Sequence, residues 1–214
     1  MSEHRQPEAE LPEGTSSDRR ITALADGVFA IVMTLLVLGV EVPQVPDEQI
    51  ADRLLHEVLL LWPRIAAYAV SFLVLGIYWM GHHTQFHFMR GVDRTALWIN
   101  IFFFMGVCLV PFTTRLVSDY HGQEVAVTLY ALNLIAIDLL LLLHWRYAAR
   151  ADLLKPETGR AEMRHATRQI LIGVALFAAA IAVAFVSPRA SLAVILAVPV
   201  LHILPGPIHI HWTR

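Results

Sequence analysis

A few ionisable side chains stand inside stretches of sequence that are otherwise apolar, and they are the residues that could do chemistry. Asp26 follows Arg20 by six positions, and Asp138 lies within the apolar run from Val125 to Trp145, with Asn133 nearby. A carboxylate in such a setting is costly unless it has a partner, so it marks an ion or proton path, or a brace between helices. His82, His83 and His87 fall within six residues of one another, and His202, His209 and His211 cluster near the C-terminus. Histidines at these spacings can ligate metals or respond to pH near neutrality. A membrane di-iron oxidase would need more such clusters, with carboxylates facing one pocket, and the sequence offers no such set. No nucleophile motif or glycine-rich phosphate loop is present. The sequence therefore argues against an enzyme, and no cofactor or metal is expected.

These residues need elements to position them, and the composition says what kind. The 214-residue chain is 57% hydrophobic and only 16% charged, against about 25% charge in soluble domains. A net charge of −2 gives no basic field for nucleic acid. The single cysteine, Cys108, cannot form an internal disulfide and reads as a small buried apolar residue. Six apolar segments are long enough, or nearly so, to cross a hydrocarbon layer about 30 Å thick as helices. They run over residues 21–42, 62–88, 96–114, 125–145, 170–186 and 190–210. Inside lipid the backbone must satisfy its own hydrogen bonds, so each should be helical. The expected fold is an all-α integral membrane subunit of six helices spanning 19–214, preceded by a disordered tail over 1–18 that lacks the marks of a signal peptide.

The connections agree with that division. The acidic stretch from Glu41 to Glu57 holds Pro43 and Pro46, with a short amphipathic helix expected around 50–61. Tight turns are expected at 90–94, 118–123 and 187–189, and the charged stretch 146–168 should extend the two helices flanking it. Placing both termini in the cytosol puts twelve of the sixteen Lys and Arg residues on the inner side, the asymmetry that sets orientation in a cell membrane. Trp62, Trp79, Trp98, Trp145 and Trp212 lie near expected helix ends, as interfacial indoles do.

One stretch carries a specific resemblance. Arg20, three residues, then Leu24, Ala25, Asp26, Gly27, Val28, Phe29, Ala30 and Ile31, followed by Met33 to Leu38, resembles the opening of the transmembrane protein 175 family of potassium channels. The family pattern is Arg, three residues, then Phe-Ser-Asp; Leu24 and Ala25 stand here for the Phe and Ser. Tyr78, Trp79, His82, His83 and Phe86, then Trp98, Asn100 and the run from Pro111 to Thr113, are similar to later stretches of the family.

The resemblance implies a homotetramer around a central pore lined by the first helix, with an apolar side-chain filter. Its residues would be Ile31, Thr34, Leu35 and Leu38; of these, Ile31, Leu35 and Leu38 share one helix face by their spacing. It also implies that Arg20, Asp26, Asn100 and one of His82 and His83 form a network bracing the pore helix. The partners implied are potassium ions, the lipid bilayer and further copies of the chain. Asp138 has no role in that reading. A proton path through it is the argument for the runner-up, a proton-coupled secondary transporter, in which Pro199, Pro205 and Pro207 would break the last helix.

Overall fold

The computed structural model describes residues 14–120 and 122–203, with side chains placed from Arg20 to His202. Seven α-helices account for most of these residues: α1 Gly14–Leu35, α2 Ile50–Leu60, α3 Trp62–His87, α4 Arg94–Asp119, α5 Glu124–Arg150, α6 Arg160–Ala184 and α7 Pro188–Ile203. Five spans within them are long and apolar enough to cross a membrane, and α7 is a shorter apolar helix. Among the described residues the architecture is all-helical, with the first five apolar segments, and the sixth as far as Ile203, at the places the hydropathy assigns them. Helix α1 already begins at Gly14, inside the stretch read as a tail. The remainder of that tail, and Pro205, Pro207, His209, His211 and Trp212, lie outside the described residues.

Helix α5 is the centre of the subunit, packed against α4 and α6, while α1 rests on α3 and α4. One wall of the core is α1's own stripe of Ile21, Ala25, Phe29, Val32 and Leu36. Pro111 within α4 lacks the N–H that a helix turn requires. The hydroxyl of Thr113 lies beside this break and donates to the carbonyls of Val110 (3.1 Å) and Leu109 (3.3 Å).

The loops at the end of the bundle near Arg20 are tied together. Met89 and Leu154 form an isolated bridge, with Arg90 N–H to Leu153 O and Lys155 N–H to Phe88 O both at 2.9 Å. Arg90 pairs with Asp152, which adopts a positive φ of 55° to make the turn. Asp93 caps α4 by accepting from Ala96 N–H at 2.8 Å and also accepts the Tyr147 hydroxyl at 2.5 Å. As expected, the charged stretch prolongs α5 and α6, leaving a loop of 151–159.

Some expectations from sequence are corrected. Trp145 is no belt residue: it is fully buried, its indole facing the Met163 carbonyl at 3.5 Å. Trp62 and Trp98 are exposed, as interfacial indoles should be. Cys108 faces out of the subunit rather than into its core. Pro199 does not break α7, which continues past it. The short helix over residues 50–60 is α2; its Leu54, Leu55 and Leu59 are exposed.

Candidate functional site

Helix α1 presents two opposed faces. Its buried residues recur as Ala25, Phe29, Val32 and Leu36. Two positions further along the chain from each stand Gly27, Ile31, Thr34 and Leu38, all exposed in the subunit. Two residues rotate a helix by about 200°, so the second set lies almost diametrically opposite the first. Ile31 is 61% and Leu38 67% exposed, and Leu35 flanks them on the same open side. The residues picked out as a filter thus project away from the subunit core as one row of apolar side chains interrupted by one hydroxyl.

That hydroxyl is oriented. Thr34 Oγ1 donates to the carbonyl of Ile31 at 2.8 Å, one position later than the Ala30 carbonyl expected from ordinary back-bonding. Its only proton is thereby committed to the backbone, and its remaining oxygen lone pairs can act only as acceptors. Beyond Leu35 the helix tightens into a 3-10 segment over Leu36–Gly39, in which side chains three apart stand nearly in line. Leu35 and Leu38 therefore continue the row.

The proposed bracing residues separate into two groups. In the first, His82 Nε2 meets Asn100 Oδ1 at 2.8 Å, and Asn100 Nδ2 donates to the Ala96 carbonyl at 2.9 Å. Because the amide oxygen can only accept, Nε2 carries the proton and donates. Both side chains are buried, at 2% and 1% exposure. The His82 ring stacks on Phe86 (4.6 Å) and Phe103 (5.3 Å), and Phe29 of α1 reaches the same cluster, 6.5 Å from His82 and 6.1 Å from Phe103. The choice between the two histidines thus falls on His82 for the contact with Asn100.

In the second group Asp26 accepts a hydrogen bond from the Trp79 indole N–H at 2.8 Å. His83, exposed, lies across the same indole at 5.9 Å. Among the described residues, the hydrogen-bond partner of Asp26 is thus Trp79 rather than Arg20 or a histidine. Arg20 is exposed and makes no ion pair with the described residues. His87 is also exposed and follows His83 by four positions, on the same helix face, whereas His82 is buried.

Asp138 has no basic partner among the described residues. It is buried between α5 and α6, with one carboxyl oxygen unpaired and lying 2.8 Å from where a side chain at Gly173 would begin. Tyr78, whose hydroxyl donates to the Leu134 carbonyl at 3.0 Å, stands next to it. Tyr78 belongs to a polar seam between α3 and α5 that the sequence reading missed. Ser71 bonds Tyr130 (2.9 Å) and receives Thr114 (2.8 Å). Gln85 donates to the Leu141 carbonyl (3.1 Å) and pairs with His144 (2.8 Å). Ser71, Tyr78 and Gln85 recur every seventh residue, a spacing that places them on one helix face and that was present in the sequence. Such pairs join helices inside a subunit where hydrophobic burial cannot.

The chain is similar to known channel proteins. The family model described as the endosomal/lysosomal potassium channel TMEM175 matches residues 20–111. A potassium channel of Streptomyces collinus is 35% identical over 179 residues, covering 81% of this chain and 85% of that one. A potassium channel of Chamaesiphon minutus is 37% identical over 182 residues, covering 83% and 89%. The crystal structure of a lysosomal potassium-selective channel TMEM175 homolog from Chamaesiphon minutus superposes with a TM-score of 0.77 at 32% identity, over 87% of this chain and 96% of that one.

Proposed function

The chain belongs to the TMEM175 family, and from that premise we propose that it is a potassium-selective channel whose α1 helices line a central pore in a homotetramer. The family is one of ion channels, not enzymes. The protein is a membrane protein. Its place is the cell membrane with both termini cytosolic, a reading supported by the skew of twelve of sixteen basic residues to that side.

The observation that carries the pore assignment is the opposition of α1's two faces. Phe29 and its neighbours anchor the helix on α3 and α4, which leaves Ile31, Thr34, Leu35 and Leu38 free to face a symmetry axis. Four copies of Ile31 around that axis make a closed ring. Such a ring offers a passing ion no oxygen ligands in place of its water. The ion must shed hydration to pass, and potassium releases water more cheaply than sodium. Selectivity is then a difference in dehydration cost, and the same constriction can empty of water and close. Thr34, with its proton held by the backbone, turns oxygen lone pairs toward the partly stripped ion.

Purified protein in liposomes should pass potassium faster than sodium, without coupling to a proton gradient. Ile31→Asn should admit hydrated ions and bring the permeability ratio toward unity. Stoichiometric proton coupling would instead identify the transporter alternative, and an unchanged ratio in Ile31→Asn would remove the filter from that residue.

A further inference from the structure

At the end of α1 away from Arg20, the row of proposed pore residues runs out at Leu38, and the chain leaves the helix through Gly39 and Val40. Behind this segment is a cavity of about 220 Å³, walled on one side by Leu35, Leu38 and Val40 and on the other by Tyr68, Pro111 and Phe112. Only Leu36 of the segment is in the core. The next point of attachment is Glu41, which pairs with Arg115 of α4. Arg115 also reaches Asp119 at 3.6 Å, and Asp119 pairs with Arg64 of α3 at 3.2 Å. Two arginines and two carboxylates from three elements thus close one chain of ion pairs, electrically neutral as a set.

A segment fixed at Leu36 and at Glu41, with a groove between it and Tyr68, Pro111 and Phe112, has its radial position set by those two anchors. We propose that the cluster of Glu41, Arg115, Asp119 and Arg64 positions the far end of the pore segment, so that the width at Leu38, and with it ion preference, depends on these pairs. The inference rests on the assignment of α1 to the pore. A connected set of charges can hold geometry where a single exposed pair contributes little. The residues act through the backbone from Gly39 to Glu41 and do not touch the ion.

The test uses two substitutions that break the same bond while removing opposite charges. Glu41→Gln and Arg115→Gln should both shift the potassium-to-sodium permeability ratio in one direction, by about threefold, the scale an ion pair of ordinary exposed strength can hold. The exchange Glu41→Arg with Arg115→Glu should restore the ratio. If the charges act only through their field at the pore mouth, the two single variants, which remove opposite charges, will change conductance in opposite senses. That result overturns the proposal, as does an unchanged ratio in both. Ile31→Asn in the same vesicles separates the failures. If it alters the ratio while the cluster variants do not, this inference fails alone; if it too has no effect, the pore assignment fails with it.

Discussion

The middle of α1 and its far end are held by different physics. Midway along the span, Phe29 enters a buried aromatic cluster whose polar members, His82 and Asn100, satisfy each other out of contact with water. At the far end, Glu41 and Arg115 form an ion pair with more than half of each side chain exposed, beside an open groove. Packing and buried hydrogen bonds depend little on salt and fail abruptly, because a buried polar group left unpaired keeps its full desolvation cost. Exposed ion pairs are weaker and yield to screening. The middle of the proposed pore helix is therefore rigid and its far end compliant, and a compliant end is where a conduction pathway can change width without unfolding the subunit.

Substitutions can break this contrast. The largest loss should come from Phe29→Ala, which empties a close-packed site and should cost about 3 kcal/mol in the thermal stability of detergent-solubilised protein. Asn100→Ala leaves the His82 N–H buried without an acceptor and should cost about 2 kcal/mol, while Asn100→Asp, which still accepts, should recover part of it. A loss below that of Glu41→Gln in either case would reverse the ranking of the two regions.

Asp93 sharpens the comparison through pH, because it caps the helix that carries Asn100. The Ala96 N–H and the Tyr147 hydroxyl both bond its charged form and hold its carboxyl below the ordinary 3.8. When the chain unfolds the carboxyl returns to that ordinary value and binds its proton more readily. Its contribution is thus complete above that pH and is lost as the pH falls through the lowered folded value. Asp93→Asn should lower stability by about 1 kcal/mol at neutral pH and flatten the acid limb of a melting-temperature profile. The smallest effect belongs to the far end: Glu41→Gln should change the melting temperature by less than about 1 kcal/mol equivalent. Raising salt should shrink that difference while leaving the Phe29→Ala difference intact.

The sequence made the spans legible because lipid imposes one rule on them all: a long apolar run must be a helix. It also showed that Ile31, Leu35 and Leu38 share one face of α1 by helical spacing and that Asp26 breaks an apolar run, but not that Ala25, Phe29, Val32 and Leu36 form the opposed buried face. What it could not supply were partners across helices. That Asp26 takes Trp79 rather than Arg20, and that His82 rather than its neighbour meets Asn100, depends on the rotation of α3 about its axis. Adjacent residues on one helix differ by about 100° in direction, and no local pattern distinguishes them. Trp145 misled for a related reason: an indole near a helix end suits an interface, but here α6 covers it. The ion cluster was unreadable because its members come from residues 41 to 119, brought together only by the packing of α1, α3 and α4.

The claim on which the rest depends is that Ile31 borders the path of the ion. The direct measurement is silver block of potassium current in Ile31→Cys, made in a Cys108→Ser background because Cys108 is exposed. Silver is a permeating-size cation that bonds thiolate sulfur, so it should abolish the current in Ile31→Cys and leave the Cys108→Ser parent conducting. A current that survives silver at Ile31→Cys would place that residue against lipid or protein and contradict the pore.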